Sequence, residues 1–105
     1  YARSNTTIAV VATDAALSPE DAQRFVTMAQ AGLARAVRPV YTPFDGDTVF
    51  ALATAQGPSV DAIGLAQLGA IGADVLARAI ARGVYEARSL GNSWPAWRDK
   101  YNKGL

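Results

Sequence analysis

Asn5-Thr6-Thr7-Ile8-Ala9-Val10-Val11-Ala12-Thr13 decides the reading of this chain. From Ile8 to Thr13 the residues are apolar and rich in β-branched types, the composition of a buried strand. Two threonines stand just ahead of it. A hydroxyl at the start of a strand is held by a rigid element, which makes Thr6 a candidate nucleophile. The chain has no His and no Cys, so neither a Ser-His-Asp triad nor a Cys-His pair exists within it. A hydroxyl here would need activation by an amine, a Lys or a carboxylate. A threonine using its own α-amine as base is one such arrangement, and it requires the bond before that threonine to be cut.

On the N-terminal side, Tyr1 to Asn5 is short and polar and reads as a tail. On the other side, Asp14 to Leu17 is a connection, and Ser18-Pro19-Glu20-Asp21 predicts a helix start. Ser18 is a good cap, Pro19 suits the first helical position, and two acids favour the positive end of the dipole. Ala22, Phe25, Val26, Ala29, Leu33, Ala36 and Val37 then recur at helical spacing, until Pro39 ends the pattern. Val40 to Phe44 reads as extended, Asp45-Gly46 as a tight turn, and Thr48 to Thr54 as a second strand. Gln56-Gly57-Pro58 breaks the chain. Ser59 then predicts the cap of a long helix running to about Ala87, with Asp74–Arg78 and Arg82–Glu86 as surface pairs. Gly64, Gly69 and Gly72 weaken that helix and imply close packing by another backbone. After Ser89 the aromatics Trp94, Trp97 and Tyr101 suggest core or interface anchors. The order strand, helix, strand, helix predicts an α/β sandwich with helices on one sheet face.

The 105 residues suffice for one small core. Half are apolar and the formal charge is +1, a balance that suggests neither nucleic acid nor an anionic membrane as partner. No apolar run reaches the roughly 18 residues of a membrane span. Absence of Cys removes disulfides and thiolate metal sites and fits a cytoplasmic protein. The high apolar fraction, with one helix apolar nearly all round, suggests that a partner chain covers part of the surface. Asp45 and Asp47 are too few acids, without His, to indicate a metal site.

Two blocks carry a family resemblance: Asn5 to Asp14, and Phe44-Asp45-Gly46-Asp47-Thr48-Val49-Phe50-Ala51. With the helix around Gly32-Leu33-Ala34-Arg35-Ala36 between them and the Ala/Gly-rich helix after Ser59, they resemble the small subunit of the self-cleaving β-aminopeptidase and L-aminopeptidase/D-amidase family. Within it they are most similar to the nylon-oligomer (6-aminohexanoate-oligomer) hydrolase branch, where the nucleophile is Thr and an Asp-Gly-Asp block follows. The resemblance runs from about Asn5 to Ala87. It implies a precursor cut once, between Asn5 and Thr6, with Thr6 as nucleophile and Asp45 and Asp47 as the supporting acids. It further implies a four-layered α/β/β/α sandwich completed by a large subunit from the same precursor, assembled into larger oligomers. Residues 1–5 are then a pre-cleavage tail and 6–105 the small-subunit portion of one domain. The substrate would be a small amide, such as a linear or cyclic 6-aminohexanoate oligomer, a short peptide or a β-peptide, and no cofactor or metal is implied.

In that chemistry Thr6 Oγ attacks the Asn5 carbonyl, an ester forms through an N-to-O shift, and water resolves it. The freed amine then serves as base for attack on substrate. Five residues precede Thr6, so a chain with Asn5–Thr6 intact is a precursor or an inactive variant. Two other readings stand beside this one: a non-catalytic interaction domain that is never cut, and an acyl transferase that passes the acyl group to an amine.

Overall fold

The β-branched run forms strand β1 (Ile8–Thr13) and the second apolar run forms β2 (Thr48–Ala53). The structure, a computed structural model, describes residues 5–91 and 94–101. β1 and β2 pair in parallel, Ile8 opposite Thr48 through Thr13 opposite Ala53. Parallel neighbours cannot be joined by a tight turn and need a crossover. Helix α1 (Pro19–Ala36) supplies it, making a βαβ unit. The tight turn therefore does not fall at Asp45-Gly46. It falls at Thr42–Asp45, with Pro43 in its second position and Asp45 N–H donating to Thr42 O at 3.0 Å. Val40 to Phe44 is a bent segment, not an extended one, and Tyr41 sits at a left-handed φ of 57°.

Ser18 caps α1, its side chain accepting from Asp21 N at 3.1 Å. Phe25, Ala29, Gly32 and Leu33 line the buried face of α1. Helix α2 (Ala62–Glu86) answers with Gly69, Gly72, Ala73 and Leu76. The closest backbone approach is at Gly32, where an added Cβ would run into Ala73 O and lie 3.1 Å from Ala77 N. Gly69 and Gly72 instead make room for side chains, Met28 and Phe25 respectively. The cap of α2 is Asp61, accepting from Gly64 N at 2.7 Å, rather than Ser59. Ser59 is still extended: it bridges Ala16 while Ala16 N–H donates to Pro58 O at 3.0 Å. Asp74 pairs with Arg35 of α1 at 2.5 Å rather than with Arg78, whereas Arg82 and Glu86 do approach, at 3.7 Å.

Both helices close over one face of the sheet, where Val11 and Val49 join Phe25, Ala29, Leu33 and Leu76 in a single core. The opposite face carries Ile8, Val10, Phe50 and Leu52, all more than half exposed. Among the described residues, α2 is by length and composition long enough to cross a membrane, a feature missed by looking for an uninterrupted run. Its small-residue face is packed on α1. The C-terminal aromatics fold back through the short helix α3 (Trp97–Tyr101), Trp97 lying 6.0 Å from the Tyr85 ring and 6.2 Å from that of Tyr101.

Candidate functional site

The pairing of β1 with β2 does not stop at Ile8. Asn5 bridges Asp45 in parallel, with the same offset that sets Ile8 opposite Thr48. Asn5 N–H donates to Phe44 O at 3.3 Å, Gly46 N–H donates to Asn5 O at 2.9 Å, and Thr48 N–H donates to Thr7 O at 2.9 Å. Asn5 is thus part of a ladder and not a loose tail; residues 1–4 lie outside the described residues. This register puts Thr6 opposite Gly46 and Thr7 opposite Asp47. The peptide bond between Asn5 and Thr6 is held in the ladder, one side of it gripped by the Gly46 amide.

Side chains on neighbouring strands alternate between faces. Thr6 and Gly46 share the face of Ile8 and Phe50, the uncovered one, and Thr6 is exposed. The Thr6 side chain lies over Gly46: a Cβ there would be 3.1 Å from Thr6 Oγ1. Asp45 and Asp47 share the face of Val49 and are half-buried. Their carboxylates accordingly bind backbone. Asp47 Oδ1 accepts from Thr7 N at 2.9 Å and its Oδ2 from Tyr41 N at 2.8 Å. Asp45 Oδ2 accepts from Thr42 N at 3.2 Å and Thr42 Oγ1 at 2.5 Å. The structure therefore brings Asn5, Thr6, Asp45 and Asp47 together, with the two acids reaching Thr6 through the main chain beside it and not through its hydroxyl. The left-handed turn at Tyr41 aims its N–H at Asp47. Desolvation, and then the negative charge of Asp47, push the Tyr41 phenol above its ordinary pKa, while a side-chain bond with Gln30 opposes them.

Sequence reasoning missed Gly46 and Phe44 as contributors, because both act through main-chain atoms that no residue type announces. The parallel register, once known, reveals them. Elsewhere a groove runs along α2, lined by Val75, Val84, Tyr85 and Trp97 among others, with no carboxylate among its described lining residues. Among the described residues no group of three or more acids could hold a metal ion.

The described residues form a mixed α/β chain in which the peptide bond before an exposed threonine is held by a backbone donor on its carbonyl. The chain belongs to peptidase family S58, which residues 2–93 match. It is 44% identical over 110 aligned positions to an uncharacterized aminopeptidase of Mycobacterium tuberculosis, covering 92% of this chain and 31% of that protein. To an uncharacterized aminopeptidase of Mycobacterium leprae it is 48% identical over 99 positions, 82% of this chain and 27% of the relative. A 6-aminohexanoate-oligomer endohydrolase of Paenarthrobacter ureafaciens is 36% identical over 50 positions, 48% of this chain and 14% of that enzyme. The chain thus spans about a third or less of the length of these relatives.

Proposed function

We infer that the chain is the nucleophile-bearing part of an amide hydrolase that cuts itself between Asn5 and Thr6. The observation that carries this is the Asn5–Thr6 peptide bond fixed in the ladder, with the Thr6 side chain over Gly46, in a member of a peptidase family. Thr6 Oγ attacks the Asn5 carbonyl carbon, the C–N bond to Thr6 breaks, and the proton lost from Oγ ends on the departing nitrogen. Water then hydrolyses the ester. In the cleaved form Thr6 is N-terminal, and its amine takes the Oγ proton during attack on substrate. The new amine forms one residue before the amide that Asp47 already binds, so Asp47 orders the main chain next to it, and Asp45 braces the turn beneath.

The exposed apolar sheet face supports the larger assembly: a second sheet from a large subunit of the same precursor would bury Ile8, Val10, Phe50 and Leu52 and complete an α/β/β/α sandwich. Residues 6–105 would then be the small-subunit portion, in oligomers of the two-subunit unit. The absence of Cys supports a cytoplasmic setting.

For substrate, the relatives matched over most of this chain carry aminopeptidase names, which supports short peptides and aminoacyl amides. The Thr6 and Asp45-Gly46-Asp47 pattern, with the shorter match to the oligomer endohydrolase, supports 6-aminohexanoate oligomers as the second reading. Intact mass and N-terminal sequencing of the whole purified protein test the core of the proposal. A new N-terminus at Thr6, lost in Thr6→Ala together with amide turnover, is the expected result. A chain still continuous through Asn5–Thr6 in active protein would overturn it.

A further inference from the structure

We propose that the main-chain N–H of Gly46 is the oxyanion donor, first for self-cleavage and then for turnover. The inference rests on the reading of Thr6 as a self-cleaving nucleophile and goes beyond it by naming the group that receives the developing charge. Gly46 N–H already donates to Asn5 O at 2.9 Å, and Asn5 O is the oxygen that becomes negative when Thr6 Oγ bonds to the carbonyl carbon. That oxygen moves by only a fraction of an ångström as the carbon becomes tetrahedral, so the donor stays in reach. It is also preorganised. Gly46 is fixed on one side by the turn that brings Asp45 N–H to Thr42 O and on the other by Asp47, whose carboxylate ties Tyr41 to Thr7. A donor fixed in this way strengthens toward the transition state without having to reorganise.

The same residue makes room for the nucleophile. A side chain at position 46 would place its Cβ 3.1 Å from Thr6 Oγ1, closer than such contacts usually come. Gly46 therefore joins donor and clearance at one point, opposite Thr6 in the register.

Turnover uses the same position. The ester formed in self-cleavage joins the Asn5 acyl group to Thr6 Oγ, and the acyl-enzyme of turnover joins a substrate acyl group to the same atom. When water releases the Asn5 carboxylate, the Gly46 N–H loses its partner. The incoming substrate carbonyl then takes the place of Asn5 O, with Thr6 Oγ alongside. In each cycle the Oγ–C bond forms, the scissile C–N bond breaks, the amine leaves with the proton taken from Oγ, and water restores the hydroxyl.

The test is a one-atom change of the main chain. In the whole protein, glycolic acid in place of Gly46 turns the N–H into an ester oxygen and leaves the side-chain positions untouched. The control places the α-hydroxy analogue of threonine at position 48, removing the next ladder bond, from Thr48 N–H to Thr7 O. Cleavage is followed by intact mass against time. The expected result is a fall of about 10²–10³-fold for the ester at 46, the cost of losing one oxyanion donor, and a fall of less than about tenfold for the ester at 48, the cost of one ordinary hydrogen bond. In protein that has finished cleaving, the ester at 46 should lower kcat for amide hydrolysis in similar proportion while KM changes little. Equal slowing at 46 and 48 would overturn the proposal, as would cleavage at the unmodified rate with the ester at 46. Thr6→Ala separates the layers. If it blocks the cut while the ester at 46 does not slow it, only the oxyanion assignment fails. If Thr6→Ala is still cut between Asn5 and residue 6, the nucleophile reading fails and this inference falls with it.

Discussion

Asp47→Asn asks whether the acid beside the proposed cut works by holding the main chain. The wild-type carboxylate accepts from Thr7 N at 2.9 Å and Tyr41 N at 2.8 Å, one oxygen to each. Hydrogen bonds to a charged group contribute about 1.5–3 kcal/mol each, against about 1 kcal/mol for a neutral pair. Asparagine keeps one oxygen for one amide and turns its NH2 toward the other, so one bond weakens and one is lost. Asp47 is only half-buried, so water recovers part of the loss, and the net cost is about 2 kcal/mol. That is a factor of about 30 in the folded-to-unfolded ratio. In a Thr6→Ala background, where the chain stays in one piece, the urea midpoint should fall by about 1 M for a slope near 2 kcal/mol per M. In the Thr6 protein the same change should slow self-cleavage, because the Tyr41 bend and Thr7 are no longer tied. An unshifted midpoint would refute the clamp. A loss of cleavage beyond about 10³-fold at an unshifted midpoint would show instead that the carboxylate itself takes part in proton transfer, at the scale of general base catalysis.

Two glycines give opposite outcomes on substitution by alanine. Gly32→Ala drives a Cβ into Ala73 O, backbone that cannot swing aside; overpacking should cost about 1–3 kcal/mol despite the better helix propensity. Gly83→Ala meets nothing within 4 Å and should stabilise by up to about 1 kcal/mol, both read from thermal or urea unfolding of the uncleavable protein. Phe50→Glu puts a charge in the centre of the exposed apolar sheet face and should separate the two subunits on gel filtration after cleavage; subunits that stay together would remove that face from the interface. For substrate choice, Asn5 N–H donates to Phe44 O at 3.3 Å, a bond that an acyl unit with nitrogen on its α-carbon can repeat and a 6-aminohexanoyl unit cannot. An α-aminoacyl amide should therefore exceed the matching 6-aminohexanoyl amide by about tenfold in kcat/KM, the scale of one net hydrogen bond; equal values would remove Phe44 O from recognition.

The elements themselves were legible where local chemistry decides them. β1 falls on the β-branched run from Ile8 to Thr13, and α1 starts at the Ser18-Pro19 signal with its acids in place. What the sequence did not disclose depends on partners far along the chain. Ser59 and Asp61 are both good caps, and the choice went to Asp61 because Pro58 and Ser59 are drawn into extended contact with Ala16. Asp74 has a correctly spaced Arg78 on its own helix, yet Arg35 reaches it from α1 once Gly32 lets the two helices close. Asp45-Gly46 reads locally as a turn, but parallel pairing moves the turn back to Pro43 and makes Asp45 a ladder residue.

The site shows the same division. Asn5, Thr6, Asp45 and Asp47 could be picked out as residues, but their division of labour follows from the pleat. A parallel ladder running without a slip from Thr13 back to Asn5 sets even-numbered residues of this segment on the open face and odd-numbered ones on the helix face. Thr6 and Gly46 are even; Asp45 and Asp47 are odd. Thr6, the proposed nucleophile, and the amide facing it therefore stand on the open face, while the acids stand behind the strand and bind its main chain. Moving Thr6 by one residue would exchange these positions. A variant with Thr6 replaced by Ala and Thr7 by Ser removes the open-face hydroxyl and leaves one at the strand entry on the helix face alone. It should be uncut although a hydroxyl still stands at the start of the strand, whereas Thr6→Ser, which keeps the hydroxyl on the open face, should still be cut. Cleavage of the shifted variant at its new serine would mean that the face of the strand does not select the nucleophile.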